Sequence, residues 1–408
     1  MNSGKSQTVL IVGAGHGAGQ VVASLKQHKF EGRIVLVGEE PYLPYQRPPL
    51  SKKYLAGEMP PERLYFKPAS FYEDDNIEII LGTRVESIDR EAQQAALSNG
   101  DTVAYDKLVL ATGSRVREVN VPGAELDGIH YLRSIADVEA IRADVESASH
   151  VAIVGAGYIG LEVAAVCRQL GRDATVIELA ERVLSRVVSK EVSDFFEQLH
   201  ASHGVDIRLS TGLAAYEGDD KVSHIVTDKG DRIATDCVIV GVGILPNTEL
   251  AEGAGLAVEN GIVVDDHCRT EDPDIYAIGD CTSHPNGIYG RQLRLESVHN
   301  ALEQAKTAAA NICGIDSQYS QVPWFWSDQY DIKLQIAGLS QGYDDVVLRG
   351  DPAAASFACF YLRDEMLIAV DAINSPREFM QSKALIANRA RIERGLLADT
   401  AVLLKDLA

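Results

Sequence analysis

Gly13-Ala14-Gly15 and Gly155-Ala156-Gly157 each stand where an apolar run ends and a helical pattern begins. Glycines so placed let the backbone turn tightly and approach a pyrophosphate. The helix start then offers that anion free N–H groups and a positive dipole end. In TVLIVGAGHGAG (8–19) the third glycine position holds Ala18, and in HVAIVGAGYIGLEVA (150–164) it holds Gly160. His16 and Gly17 complete the first turn, and Tyr158 and Ile159 the second. An acid follows each cradle, Glu39 at 26 residues after Gly13 and Glu178 at 23 after Gly155. A carboxylate there accepts the ribose hydroxyls of adenosine. Glu40 is a solvated alternative to Glu39. Glu178 repels a 2′-phosphate, with Arg172 the nearest preceding cation, so the second cradle is expected to take NAD rather than NADP.

Three further turns follow apolar strands: Ala111-Thr112-Gly113 in KLVLATGS (107–114), Gly243 in CVIVGVGILPN (237–247), and Gly279-Asp280 in DIYAIGDC (274–281). An Asx turn is the bland alternative for Asp280. Lys52 alone reads as a surface lysine in the first turn of a helix capped by Ser51. Cys167, Cys237, Cys268, Cys281, Cys313 and Cys359 contain no CxxC pair, so neither a redox dithiol nor a zinc knuckle is expected. They fit small core residues in a reducing compartment.

The elements that must carry these turns are legible. Strand, glycine turn, helix and strand span residues 8–37 and recur over 151–178, two βαβ units of the size dinucleotide binding requires. The later SFACFYLRDEMLIAVDAIN reads as a hairpin around Arg363-Asp364-Glu365. A helix follows, with Ser375 at its N-cap and Pro376 at N1. The fold class is α/β: two Rossmann-like dinucleotide-binding domains plus a C-terminal α+β domain. The expected division is 1–112 with 242–320 for the first, 113–241 for the second, and 321–408 for the last.

At 408 residues the chain is too long for one ordinary core. No apolar run reaches the ~18 residues that span a bilayer. The first twelve residues, MNSGKSQTVLIV, show no leader pattern, so a cytoplasmic protein is expected. A net charge of −21 disfavours nucleic acid and anionic membranes but not an acidic protein met through a local patch.

These motifs, in this order and spacing, resemble the two-dinucleotide-domain flavoprotein superfamily of glutathione reductase. LPYQRPPLSKKYLAGE (43–58), ESVHNALEQA (296–305) and PWFWSDQY (323–330) resemble, within it, the FAD-dependent ferredoxin reductases of bacterial oxygenases. The disulfide branches are excluded, since no cysteine precedes Cys167. The resemblance implies resident FAD at the first cradle and visiting NADH at the second. Electrons would then pass to a [2Fe-2S] ferredoxin serving a cytochrome P-450 or a dioxygenase, from a monomer or weak dimer. Rubredoxin reductase and NADH oxidase are rivals on the same scaffold, and an apoptosis-inducing-factor-like signalling flavoprotein is a rival of another class.

It also implies roles. Lys52 would lie near the flavin and pair with Glu162. Asp280 would hold FAD, with Val85, Arg133 and Val298 lining its site, although Val85 and Val298 read as well as core valines and Arg133 as a surface arginine. Tyr158 would cover the flavin until nicotinamide arrives, although packing suits it as well. Glu296 would face the nicotinamide amide, or simply suit a helix dipole as a first-turn acid. Trp326 or Trp324 would shield the flavin on the route to the partner. His299 is open between flavin contact and helix surface. Lys67, Lys306, Lys333 and Lys383 are candidates for a basic docking patch.

Overall fold

The computed structural model describes residues 7–407, so the first six residues of the leader reading lie outside it. Among the described residues no helix is long and apolar enough to cross a membrane. The chain divides into two units. One holds the residues up to Arg47 with Pro61–Arg115 and Leu245–Pro323; the other holds Pro48–Pro60, Val116–Ile244 and the chain from Trp324 onward.

In the first unit, Thr8–Val12 and Arg33–Val37 are apolar along almost their whole length, as strands covered on both faces must be. They pair in parallel register, Thr8 opposite Arg33. The five-stranded parallel sheet runs Ile275–Ala277, Lys107–Leu110, Thr8–Val12, Arg33–Val37, Ile77–Ile80. The helices His16–Gln27 and Val298–Ile312 pack together and share a core with one sheet face, through Val21, Val22, Leu25, Ala305 and Ala308.

The second unit repeats this plan. Its parallel sheet runs Val205–Arg208, Asp173–Ile177, His150–Val154, Cys237–Val240, Ile129–Tyr131. The helix Tyr158–Gln169 follows the central strand. The unit also contains an antiparallel sheet in the order Trp324–Gln329, Ile332–Gly338, Met366–Ile373, Ser356–Arg363, Asp345–Asp351. The expected hairpin is present. Asp364 and Glu365 take φ of 51° and 64°, the left-handed pair a two-residue turn requires. The helix Pro376–Ala387 covers this sheet. Ser375 stands at its N-cap but makes no capping bond, because its hydroxyl donates to the Ile373 carbonyl (2.9 Å).

Asp371 lies wholly inside this unit. One carboxylate oxygen accepts from the Tyr361 hydroxyl, and the other has no partner. Burial pushes the carboxyl from 3.8 up to about 7. A folded pKa above the unfolded one means stability that is complete in acid and is lost as pH rises through about 7. The loss is at most about 4 kcal/mol. Asp371→Asn removes the titration, so its melting temperature should exceed the parent's near pH ~8 and match it near pH ~4. Equal differences at both pH values would count against a buried, titrating Asp371.

Candidate active site

The two cradles are built alike. Gly13 and Gly155 have φ of +111° and +103°, a region L side chains rarely adopt. Each donates its N–H to the neighbouring strand, to Val37 and to Ile177, at 2.8 Å in both cases. A Cβ at Gly13 would meet the Ala111 carbonyl oxygen at 2.3 Å, and one at Gly155 the Gly241 oxygen at 2.5 Å. The middle glycines, Gly15 and Gly157, differ: a Cβ on either would meet nothing within 4 Å. They border open space, as a backbone must if a phosphate is to approach it.

The helix starts say the same. Neither cradle helix has a side-chain cap, nor an acid in its first turn. Two other helices are capped, Ile135–Ser147 by a capping box of Ser134 and Asp137 and Val298–Ile312 by Ser297, while Lys190–Ser202 and Pro376–Ala387, which lack a side-chain cap, carry an acid in the first turn instead. Uncapped donors beside open space fit an external anion. On these grounds the residues present fit two dinucleotides, one at each cradle.

The third position separates the copies. Ala18 is fully buried in the first. In the second, a Cβ at Gly160 would lie 2.0 Å from the Gly155 carbonyl oxygen. Glu178 supports that turn, accepting from the N–H of Ala156 (2.7 Å) and of Ala180 (2.8 Å).

Around the first cradle, Glu39 is largely exposed and pairs with Arg84. Glu40 is not solvated as expected. It accepts from the Tyr45 hydroxyl and pairs with Arg47, both at 2.6 Å, because the chain after Gly38 folds back over it. Asp280 accepts from the Ser114 hydroxyl (2.8 Å). Its turn is set by Gly279, whose N–H donates to Gln304 Oε1 (2.7 Å), and Thr282 donates to the same oxygen. Thr112 and Asn247 bond reciprocally and hold the Ala111–Gly113 turn. Val85 is buried at the start of Val85–Asp89. Val298 and His299 open the helix after Ser297. Glu296 therefore precedes the N-cap rather than lying in the first turn, and it pairs with Arg294 (2.6 Å).

In the second unit, Gly243 has φ +110° and Arg133 precedes the capped helix, its N–H on Asp137 (3.0 Å). Tyr158 and Glu162 stand one turn apart on the cradle helix. Lys52 does not lie in a helix capped by Ser51, because Pro48–Ser51 forms a 3-10 turn and Lys52 follows it. That geometry sends Lys52 to Glu162, with Nζ 2.6 Å from Oε2. The Ser51 hydroxyl donates to the same oxygen (2.5 Å), and Ser327 donates to Oε1 (2.6 Å). Glu162 is only 3% exposed, so this carboxylate depends wholly on its three donors.

The Tyr158 ring lies 4.8 Å from that of Phe325, and its hydroxyl is buried without a partner. Burial holds that phenol well above its ordinary pKa. Strand alternation puts Phe325 and Ser327 on one face, Trp324 and Trp326 on the other. The tryptophan rings lie 5.4 Å apart, and the Lys383 ammonium stands 4.7 Å above Trp324. Burial lowers the Lys383 pKa. Lys306 and Lys333 pair with Glu303 and Asp328, while Lys67 lies over Phe66 and Phe71.

Nothing in the sequence assigns Ser327 or Gln304 a task, and it offers Ser51 only as a helix cap. Only one signal pointed to Ser327: in WFWSDQ the polar Ser327 and Gln329 share strand parity with Phe325. All six cysteines are free, five of them buried, and burial raises the thiol pKa values of Cys167, Cys237 and Cys359 to about 12.

Residues 7–305 match the pyridine nucleotide-disulphide oxidoreductase family, and residues 324–408 the reductase C-terminal family. A ferredoxin–NAD(P)(+) reductase of Sphingomonas sp is 45% identical over 95% of this chain and 94% of its own. Putidaredoxin reductase of Pseudomonas putida is 43% identical over 98% and 97%. Among solved structures, the covalent putidaredoxin reductase–putidaredoxin complex superposes with a TM-score of 0.95 at 43% identity, covering 98% of each chain. The ferredoxin reductase for the CYP199A2 system from Rhodopseudomonas palustris gives 0.96 at 41%, covering 99% and 100%. With its paired cradles and no dithiol, the chain belongs to the pyridine nucleotide-disulphide oxidoreductase family and, within it, to the FAD-dependent ferredoxin reductases.

Proposed function

We propose that this chain oxidises NADH and reduces a [2Fe-2S] ferredoxin that feeds a cytochrome P-450 monooxygenase or a ring-hydroxylating dioxygenase, acting in the cytoplasm as a monomer or weak dimer. The observation that carries the reading is the pair of uncapped, open cradles in a chain without a redox dithiol. Relatives named for dehydrodivanillate O-demethylase and anthranilate 1,2-dioxygenase systems support the partner class.

Gly13, Gly15, His16, Gly17 and Ala18 would hold the FAD pyrophosphate, and Glu39 the adenosine ribose. Asp280, Val85, Arg133, Val298, Gly279 and the Ala111–Gly113 turn would complete that site. Gly155, Gly157, Ile159, Gly160, Gly243 and Glu178 would hold NADH, with the Glu178 carboxylate disfavouring a 2′-phosphate. When bound, FAD supplies the conversion of a two-electron hydride donor into one-electron steps. Glu162 fixes the Lys52 ammonium, which supplies positive charge where reduction adds negative charge. Glu296 orients the nicotinamide amide, Tyr158 gates its entry, and Trp326 excludes water. The three-domain division proposed from the sequence assigns these tasks to its first two domains, except that of Trp326, which falls with partner docking in its third.

Stopped-flow mixing tests the reading. NADH should bleach the yellow protein, and a [2Fe-2S] ferredoxin should restore the colour. No bleaching overturns the proposal. Reoxidation by rubredoxin but not ferredoxin would move it to the rubredoxin reductases, to which the chain is also similar, at 40% identity.

A further inference from the structure

The Glu162 carboxylate is the inner end of a longer chain of buried polar groups. Ser327 Oγ, which touches Glu162 Oε1 at 2.6 Å, is also reached by Gln329 Nε2 at 3.1 Å. Gln329 Oε1 meets His200 Nε2 at 2.8 Å, and His200 Nδ1 meets the Tyr330 hydroxyl at 3.4 Å. Ser327, Gln329 and His200 are each at most 1% exposed. Tyr330 stacks on His203, ring centroids 3.7 Å apart, where the two line a surface cavity with Arg168. The chain thus runs from the protein surface to the ammonium of Lys52.

Its direction follows from counting protons. Ser327 has one hydroxyl proton, and the short contact with a carboxylate requires it to be given to Glu162. Gln329 must then present its N–H, not its carbonyl, to Ser327. The carbonyl is left facing His200, which must carry its proton on Nε2. Nδ1 is thereby free to accept from Tyr330. Burial lowers the His200 pKa to about 4, consistent with a neutral ring. Every bond donates inward, and an amide in the middle cannot pass a proton on without changing its tautomer.

We propose that Gln329 and His200 are positioning residues for the Lys52–Glu162 pair, fixing through Ser327 the direction of every hydrogen bond that reaches Glu162 from the strand side. This rests on the proposed role of Lys52 in hydride transfer from NADH. Three elements converge: the 3-10 turn brings Ser51 and Lys52, strand Trp324–Gln329 brings Ser327 and Gln329, and helix Lys190–Ser202 brings His200. The turn and the strand each reach Glu162 directly, whereas the helix reaches it only through Gln329 and Ser327.

A conservative substitution separates the donor role from packing. In Gln329→Glu the protonated acid has the same fork as the amide: its O–H donates to Ser327 and its C=O accepts from His200. The ionised form has no proton to give and adds a second buried anion. Burial raises such a carboxyl above its ordinary ~4.3 into the working range. The neighbouring titratable and charged groups are His200, which touches position 329 directly, and Lys52, Glu162, Tyr158, His203, Tyr330 and Arg168. All are shared by parent and variant, so a new titration belongs to position 329 or to a group it perturbs.

The test is flavin reduction by NADH in stopped flow, with the flavin-loaded parent, Gln329→Glu and Gln329→Met compared from about pH 5 to 8. The parent should show no titration that the variants lack. Gln329→Glu should match the parent in acid and fall roughly tenfold as pH rises. Gln329→Met should be slower by a similar factor throughout. Gln329→Glu tracking the parent at every pH, or falling equally with Gln329→Met at every pH, overturns the inference. A second readout needs no turnover: ¹⁵N NMR of the flavin-loaded parent should find His200 neutral with its proton on Nε2. A proton on Nδ1, or a charged ring, overturns it even if the variants do not fold. A parent that NADH does not reduce overturns the functional reading instead.

Discussion

Lys52→Met should cost about 3–5 kcal/mol of stability and slow flavin reduction by NADH. Glu162 is 3% exposed and cannot recover its lost cation from water. It keeps the Ser51 and Ser327 hydroxyls, but two neutral donors do not balance a buried charge. Glu162→Leu fails from the other side, leaving an ammonium that is 18% exposed together with two hydroxyls without their acceptor. The double variant removes both charges, so its loss should be smaller than the sum of the two single losses. Denaturant melts of the four proteins measure that coupling. Losses that simply add would mean that the two side chains do not act as a unit.

Gly160→Ala should lower the rate of flavin reduction at fixed NADH about a hundredfold while leaving FAD content unchanged. The new methyl carbon would start 2.0 Å from the Gly155 carbonyl oxygen, a backbone atom that moves only if the turn opens. That turn also carries the Ala156 N–H held by Glu178, so opening it disturbs the pyrophosphate and ribose contacts together. The control is the matching position of the other copy, where Ala18→Gly should cost only about 1 kcal/mol. Absorbance at the flavin band gives cofactor content, and stopped flow gives the rate. A parental rate in Gly160→Ala would show that the turn relaxes without cost.

Both cradles were legible because their signal is local. Strand, glycine and helix follow one another within a dozen residues, and the parallel register then follows from apolar runs covered on both faces. The third-position difference between Ala18 and Gly160 was visible as letters but not as consequence, since it depends on where the Gly155 carbonyl points. The Lys52–Glu162 pair was reached only through family resemblance. Its partners are 110 positions apart, and nothing local distinguishes Lys52 from a surface lysine. Glu40 differs for another reason: its partner Arg47 is near in sequence, but its burial depends on how the chain folds over it. Ser327 and Gln329 are polar residues on a strand face that becomes interior, so composition alone assigned them no task.

The uncapped starts of the two cradle helices reach beyond chemistry. A helix whose bare start borders open space, as at Gly15 and Gly157, can take its cap from a ligand, so the nucleotide becomes part of the folding equilibrium. Tightly held FAD would protect the first unit against unfolding, whereas loosely held NADH would protect the second only while it is bound. In a growing cell, the amount of this reductase that escapes proteolysis would therefore follow the supply of flavin, and synthesis of the chain ahead of its cofactor would yield protein destined for degradation.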